Sequence, residues 1–441
     1  MIERLTWGRA QIDALQAEAL RRLLRYATAH SSWHAARLRH VDIESSSFRL
    51  DDLLTMNKRD LMENWDEIVT VPGATRSGAE QHLKNTVDEQ YLWGDHVLMA
   101  SGGTGGSPGL FLYDWNGLAL NFASLSRTIM DVVGRQFGGR PLRIASIGAG
   151  VSAHGSYIMA RIFSDPANTI ANYPVWETPE LLFPALNAFD PELMFCTSSY
   201  SLQLLAGHRA GTLRIDPKLI FFGSEHLTQA AHAAVCAAWP NTLVVTCWGT
   251  TEAAGTFACP LGDGFHVSED LVILEPRNEH DAPCEPGELS HSILLTNLYN
   301  MALPLIRYRI DDVFEFDQAP CACGIAFRKV KQVQGRSTER FRYGALSIHA
   351  LLVELAILEQ PEIKEYQILQ TRGGVRIRYS AAAAADETRM RERVVRDMRQ
   401  YGLASPEVEI ERVGELARSA TGKLQRFVPL SDDRRQTTDD R

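Results

Sequence analysis

Apolar positions near the start of the chain recur at helical spacing. In "AQIDALQAEALRRLLRYA" they fall three and four residues apart, which predicts an amphipathic helix. Polar breaks near "DIESSSFRLDD" and "VPGATRSG" punctuate a prelude expected to be mostly helical to about residue 90. The pattern then changes. "PLRIASIGAG", "ELMFCTS", "PKLIFFGSE" and "NTLVVTC" are short apolar runs ending in small or polar residues, with helical stretches between them. Such alternation predicts parallel strands in α/β units, with ligand groups gathered at the strands' carboxyl ends. "LVILEP", "ELSHSILLTNL" and "VFEFD" read as antiparallel strands. A charged stretch at "VQGRSTERFRYG" marks a boundary, after which an amphipathic helix is expected to begin at "IHALLVELAILEQ". The strands "YQILQTR", "GVRIRYS" and "EVEIERV" and the helix "DETRMRERVVRDMRQYG" complete a small α+β unit, and the charged tail is expected to fray. The fold class is therefore α/β. A large N-terminal domain of several subdomains with parallel-type sheets (1–335) precedes a small, mobile α+β C-terminal domain (336–441).

Composition narrows the partners. At 441 residues the chain exceeds one ordinary core, so more than one domain is expected. Net charge is −9 and the basic residues form no long block, which argues against a nucleic-acid surface. The start lacks a secretion pattern, and no run of about 18 apolar residues appears, so no membrane span is expected. Seven scattered cysteines suit a reducing cytoplasm better than a disulfide framework. A homodimer is left open.

Candidate chemistry begins at "SGGTGGSP", where Ser101, Gly102, Gly103, Thr104, Gly105 and Gly106 precede a proline. Glycine lets backbone N–H groups converge on an anion, so a phosphate cradle is the natural reading. The segment lacks the Gly-Lys-Ser/Thr ending of a P-loop. The lysine that could accompany it is Lys423, far downstream in "RSATGKLQR".

In order, "SGGTGGSP", "FFGSEHL", "WGTTE", "IRYRIDD", "GRSTE" and "SATGKLQR" resemble the motifs of adenylate-forming enzymes, the superfamily of acyl-CoA synthetases. The branch they look most like is phenylacetate–coenzyme A ligase and its relatives, from about residue 50 to 430. The resemblance implies that the glycine-rich segment wraps the β- and γ-phosphates of ATP. One of two usual adjacent hydroxyl residues is missing, at Gly103 or Gly105, and Ser107 could replace its bond. It makes Ser224, Glu225 and His226 neighbours of adenine, and Trp248 and Gly249 neighbours of the nucleotide. Trp248 stands where tyrosine is commoner. Thr251 would contact phosphate, and Glu252 would hold Mg²⁺, a hard cation suited to carboxylate oxygen. Asp312 would take the ribose hydroxyls, with Asp311 a turn residue, and Arg336 would reach ribose or phosphate. The hinge acid of the family aligns with Thr338 or Glu339.

The implied reaction activates an aromatic or arylacetic carboxylic acid. Its carboxylate attacks the α-phosphorus of ATP and pyrophosphate leaves. Lys423 stabilises the developing charge, and the acyl-adenylate passes to coenzyme A, to a carrier-protein thiol or to an amine. His154, Ser199 and Tyr200 are candidate neighbours of the acid. Separately, Cys259 and His266 in "CPLGDGFH" and Cys321 and Cys323 in "PCACG" offer three thiols and an imidazole, a set that suits structural, tetrahedral Zn²⁺. Cys196, Cys236, Cys247 and Cys284 have no such company.

Overall fold

The computed structural model describes residues 1–45, 47–85, 91–101, 109–148, 158, 167–175, 177–223, 227, 229–262, 264–285, 287–317, 319–336, 340–344, 346–358, 360, 362–381, 383–417 and 424–430. The prelude is helical as expected. The helix Arg9–His30 buries Ile12, Ala19, Leu20, Leu23, Leu24 and Ala27, one stripe along its length. A hairpin follows, with His96–Ala100 antiparallel to Leu110–Tyr113, so the glycine-rich segment joins two paired strands. The neck of that hairpin is closed by Ser101. Its N–H donates to the Gly109 carbonyl at 2.9 Å, and its hydroxyl accepts from the Gly109 N–H at 2.8 Å.

The four apolar runs form a parallel sheet. A fifth strand that the sequence pattern did not reveal, Thr169–Pro174, lies at its edge. The order is Thr169–Pro174, Arg143–Gly148, Leu193–Thr197, Leu219–Gly223, Leu243–Thr246. Continuous apolar strands need cover on both faces. Met194, Cys196, Ile220 and Phe222 pack with Leu182, Leu186, Leu204 and Val235 on one face. Leu193, Leu219 and Val245 pack with Ile129 and Val132 on the other. Ile129 and Val132 belong to the helix Trp115–Phe137, which is capped by the Asp114 carboxylate on the Gly117 N–H and ends at Gly138 with φ 62°.

Antiparallel sheets follow. Val272–Arg277, Ser292–Asn297 and Tyr308–Ile310 make one; Asp312–Phe316, Lys329–Arg336, Phe265–Val267 and Thr256–Ala258 make another. A charged cluster around the buried Arg307 ties the first to the prelude. Arg307, at φ 54°, donates from its side chain to Glu275, to Asp51 and to the Leu53 carbonyl.

The last sheet runs Glu407–Arg412, Gly374–Ala381, Ile363–Gln370, Phe427–Val428. Its core is its own: Val353, Ile357, Ile368, Ile377, Met390, Val394 and Phe427 cluster together. Met390, Val394 and Met398, one turn apart, form the buried face of the helix Glu387–Gln400. One expectation shifts here. The helix expected from Ile348 starts three residues later, at Leu351, because Leu346–His349 is a strand paired with Arg340–Tyr343. Gly344, at φ 64°, permits the turn between those strands. The small unit meets the large one where Lys364 Nζ lies 3.1 Å from Glu180 Oε1 and Leu202 packs on the small unit's core. Among the described residues no helix is long and apolar enough to cross a membrane.

Candidate active site and metal centre

The carboxyl ends of the parallel strands point to one edge, where the chain runs on from Leu243–Thr246 into Trp248–Glu252. Three remote residues fix that segment. The Tyr113 hydroxyl lies 2.9 Å from the Thr251 carbonyl and 2.8 Å from that of Glu252. Asn297 Nδ2 donates to the Glu252 carbonyl at 2.9 Å. The Ala254 N–H donates to the Tyr299 hydroxyl at 3.0 Å. Tyr113 ends the return strand of the glycine-rich hairpin, so that hairpin and the Thr251–Glu252 segment are held together. Sequence reasoning missed Tyr113, Asn297 and Tyr299. Their partners are mostly main-chain groups far along the chain, and main chain carries no residue-type signal.

Thr251 and Glu252 are half-buried. Burial first, then Tyr299 and the Glu252 carboxylate, push the Tyr113 hydroxyl well above the ordinary tyrosine pKa. Burial, then Glu252 and Asp311, do the same to Tyr308. The Glu252 carboxylate thus lies near enough to both phenols to be felt, and its hard oxygens are of the type that could hold Mg²⁺.

Asp312 is buried and opens the strand Asp312–Phe316, with Arg336 as its cross-strand partner. The Trp248 indole N–H donates to Asp312 Oδ2 at 2.9 Å. Asp311 is exposed. Tyr200 is buried in the core of the parallel-sheet unit, its hydroxyl 3.3 Å from the Glu177 carbonyl. Gly249 approaches Leu125, whose Cδ2 would lie 3.0 Å from an added Cβ. The structure thus brings Trp248, Thr251, Glu252, Asp312 and the main chain of Arg336 to one edge. Gly102, Gly103, Thr104, Gly105, Gly106, His154, Ser224, Glu225, His226, Lys423 and the side chains of Ser199 and Arg336 lie outside the described residues.

The second cluster gathers the anticipated thiols and imidazole. The ligand atoms of Cys259, His266, Cys321 and Cys323 all lie within 4.8 Å of one another. Cys259 and Cys321 sulfurs are 3.7 Å apart, and Cys323 Sγ is 3.3 Å from His266 Nε2. Zinc–sulfur bonds of about 2.3 Å at tetrahedral angles imply a sulfur–sulfur edge of about 3.8 Å, so the donor set fits zinc. Turns build it. Gly262 and Gly264, at φ 73° and 74°, fold the chain back between Cys259 and His266, and Gly324, at φ 81°, follows Cys323. His266 Nδ1 bonds the Phe327 carbonyl at 2.9 Å, which turns Nε2 toward the sulfurs. Burial lowers the His266 pKa and favours the neutral, ligating imidazole. Burial opposes ionisation of Cys321. Bonds from the Cys323 main chain and the neighbouring thiols, with the Lys329 ammonium, nevertheless leave that thiol below its ordinary pKa.

No family model matches the chain. The phenylacetate-coenzyme A ligase of Thermus thermophilus is 23% identical over 96% of this chain and 98% of its own length. That of Escherichia coli is 24% identical over 82% of this chain and 80% of its own. Among solved structures, 2-hydroxyisobutyryl-CoA ligase in its postadenylation state with 2-HIB-AMP superposes with a TM-score of 0.72 at 17% identity, covering 98% of this chain and 92% of that one. The same ligase in its thioesterification state, with 2-HIB-AMP and CoA, gives 0.59 at 18% identity over 97% and 91%. The fold is that of acyl-CoA ligases, and the sequence likeness is to phenylacetate-coenzyme A ligases.

Proposed function

We propose that this relative of the phenylacetate-coenzyme A ligases is an AMP-forming acid–thiol ligase. It activates an aromatic or arylacetic carboxylic acid with ATP and transfers the acyl group to coenzyme A. The observation that carries the reading is the convergence of the glycine-rich hairpin, the Thr251–Glu252 segment and Asp312 at the carboxyl edge of the parallel sheet. Tyr113 and Asn297 join the first two.

The chemistry follows from charge. A carboxylate approaching a triphosphate meets an anion, so positive groups must be held ready before the bond forms. Backbone N–H groups of 102–106 receive the β- and γ-phosphates, in a loop whose neck Ser101 closes with its own N–H and hydroxyl. Glu252 would hold Mg²⁺, which would supply positive charge against the phosphates. Asp312 accepts the ribose hydroxyls, and Thr251 and Arg336 contact phosphate or ribose. Lys423, carried by the unit 336–441, meets the charge that builds in flight. The substrate carboxylate oxygen bonds to phosphorus as pyrophosphate departs. The thiol sulfur then attacks the acyl carbon, AMP departs, and the thiol proton passes to solvent. The small unit turns between the two steps and withdraws Lys423. Cys259, His266, Cys321 and Cys323 would hold structural zinc, which would take no part in these steps.

The test is carboxylate-dependent exchange of labelled pyrophosphate into ATP over a panel of aryl, arylacetyl and short-chain acids, followed by added coenzyme A. Exchange with an aromatic acid and a thioester on addition of coenzyme A is the expected result. Exchange without consumption of coenzyme A assigns the acyl group to a carrier-protein thiol or an amine. No exchange with any acid overturns adenylation.

A further inference from the structure

Asp312 does not stand alone. It begins a strand, and Phe314, two residues on, projects from the same face. The Trp248 ring meets both. It lies edge-on to Phe314, centroids 4.9 Å apart at 89°, and its N–H reaches Asp312 Oδ2 at 2.9 Å. The main chain that carries the ring is pinned as well. The Trp248 backbone N–H donates to Thr256 Oγ1 at 2.8 Å, and that hydroxyl donates to the Trp248 backbone carbonyl at 2.5 Å. Gly255 leaves the space the ring fills, since a Cβ there would lie 2.6 Å from Cζ3.

We propose that Trp248 is a positioning residue for ribose recognition: its indole N–H fixes the Asp312 carboxylate in the plane that receives the ribose hydroxyls. This rests on the reading of Asp312 as the ribose acceptor. Indole nitrogen is a donor only. It holds one carboxylate oxygen without competing as an acceptor for the nucleotide's hydroxyl protons. A tyrosine hydroxyl could either donate or accept, so tryptophan imposes one polarity. A bond to an ionised carboxylate in a buried setting is among the stronger neutral-donor bonds.

The experiment measures kcat and KM for ATP and for 2′,3′-dideoxy-ATP in acid-dependent pyrophosphate release. The proteins are the wild type, Trp248→Phe, Trp248→His, Asp312→Ala and the Trp248→Phe/Asp312→Ala double variant. Phenylalanine keeps a ring and removes the donor. KM for ATP is expected to rise about tenfold in Trp248→Phe, the scale of one bond to a charged group, while KM for the dideoxy nucleotide stays within twofold. Discrimination between the nucleotides therefore narrows about tenfold. The double variant should match Asp312→Ala, because the indole acts only through that carboxylate. Histidine, which has a ring N–H of its own, should retain part of the discrimination, and it carries the test if the phenylalanine variant does not fold. An equal rise in KM for both nucleotides, or no change in their ratio, means that Trp248 only packs, and overturns the inference. If Asp312→Ala itself leaves discrimination intact, Asp312 is not the ribose acceptor and the inference falls with that reading. If Asp312→Ala abolishes discrimination while the Trp248 variants preserve it, the inference alone fails.

Discussion

Glu354 sits wholly inside the small unit, on the helix Leu351–Leu358. The Tyr366 hydroxyl donates to its Oε1. Arg426 Nη1 lies 3.5 Å from Oε1 and 3.2 Å from the Tyr366 hydroxyl, and its guanidinium stands over the Tyr366 ring. Oε2 has no hydrogen-bond partner among the described residues. Burial pushes the carboxyl up from its ordinary 4.5 to about 7, against the pull of Arg426. The native protein therefore keeps this proton to higher pH than the unfolded chain does. Stability from the protonated group is fully present below about pH 4.5, falls as pH rises toward 7, and is gone above that. At roughly 1.4 kcal/mol per tenfold in acidity, the rise from 4.5 to about 7 corresponds to about 3 kcal/mol. Glu354→Gln keeps the shape and removes the titration. Urea unfolding of the small-unit transition between pH 4.5 and 8 is the assay. The wild-type protein should lose up to about 3 kcal/mol relative to the glutamine variant across that window. Parallel curves for the two proteins would refute the reasoning, and a wild type that gains stability relative to the variant as pH rises would reverse its sign.

Purified protein should carry about one zinc per chain, and Cys321→Ser should lower both zinc content and melting temperature; metal below half an equivalent in the wild type would count against a closed site. Gly255→Ala forces a methyl against the Trp248 ring; it should cost about 1–3 kcal/mol and raise KM for ATP, as thermal melts and steady-state kinetics would show. Lys423→Ala should slow pyrophosphate exchange by roughly 10²–10³-fold yet spare attack of coenzyme A on a supplied acyl-adenylate; equal losses in the two half-reactions would remove the lysine from the first.

The parallel strands were legible because "IASI", "LMFC", "LIFF" and "LVV" are apolar on both faces, a pattern that only a covered sheet accommodates. Thr169–Pro174 escaped notice because "TIANYP" mixes asparagine and proline into an edge strand that needs cover on fewer sides. Arg340–Tyr343 was masked by its two arginines, which read as a charged boundary, and Leu346–His349 by its run-on into the apolar helix that follows, although Gly344 holds the hairpin turn. The thiols and imidazole were visible because those residue types declare their chemistry, and pairing in strands and turns brought them together. Tyr113 and Asn297 were not visible, because they bond carbonyls 138 and 45 positions away. The Trp248–Asp312 bond spans 64 positions. Both residues were anticipated at the nucleotide, but their contact with each other exists only once the antiparallel sheet forms.

The most direct test of the central claim is a crystal structure with ATP, or with a sulfamoyl analogue of the acyl-adenylate, bound. The ribose hydroxyls should lie within hydrogen-bond distance of Asp312, and in the ATP complex the β- and γ-phosphates should lie within the hairpin loop closed by Ser101. A nucleotide seated elsewhere, with that loop and Asp312 untouched, would contradict the account.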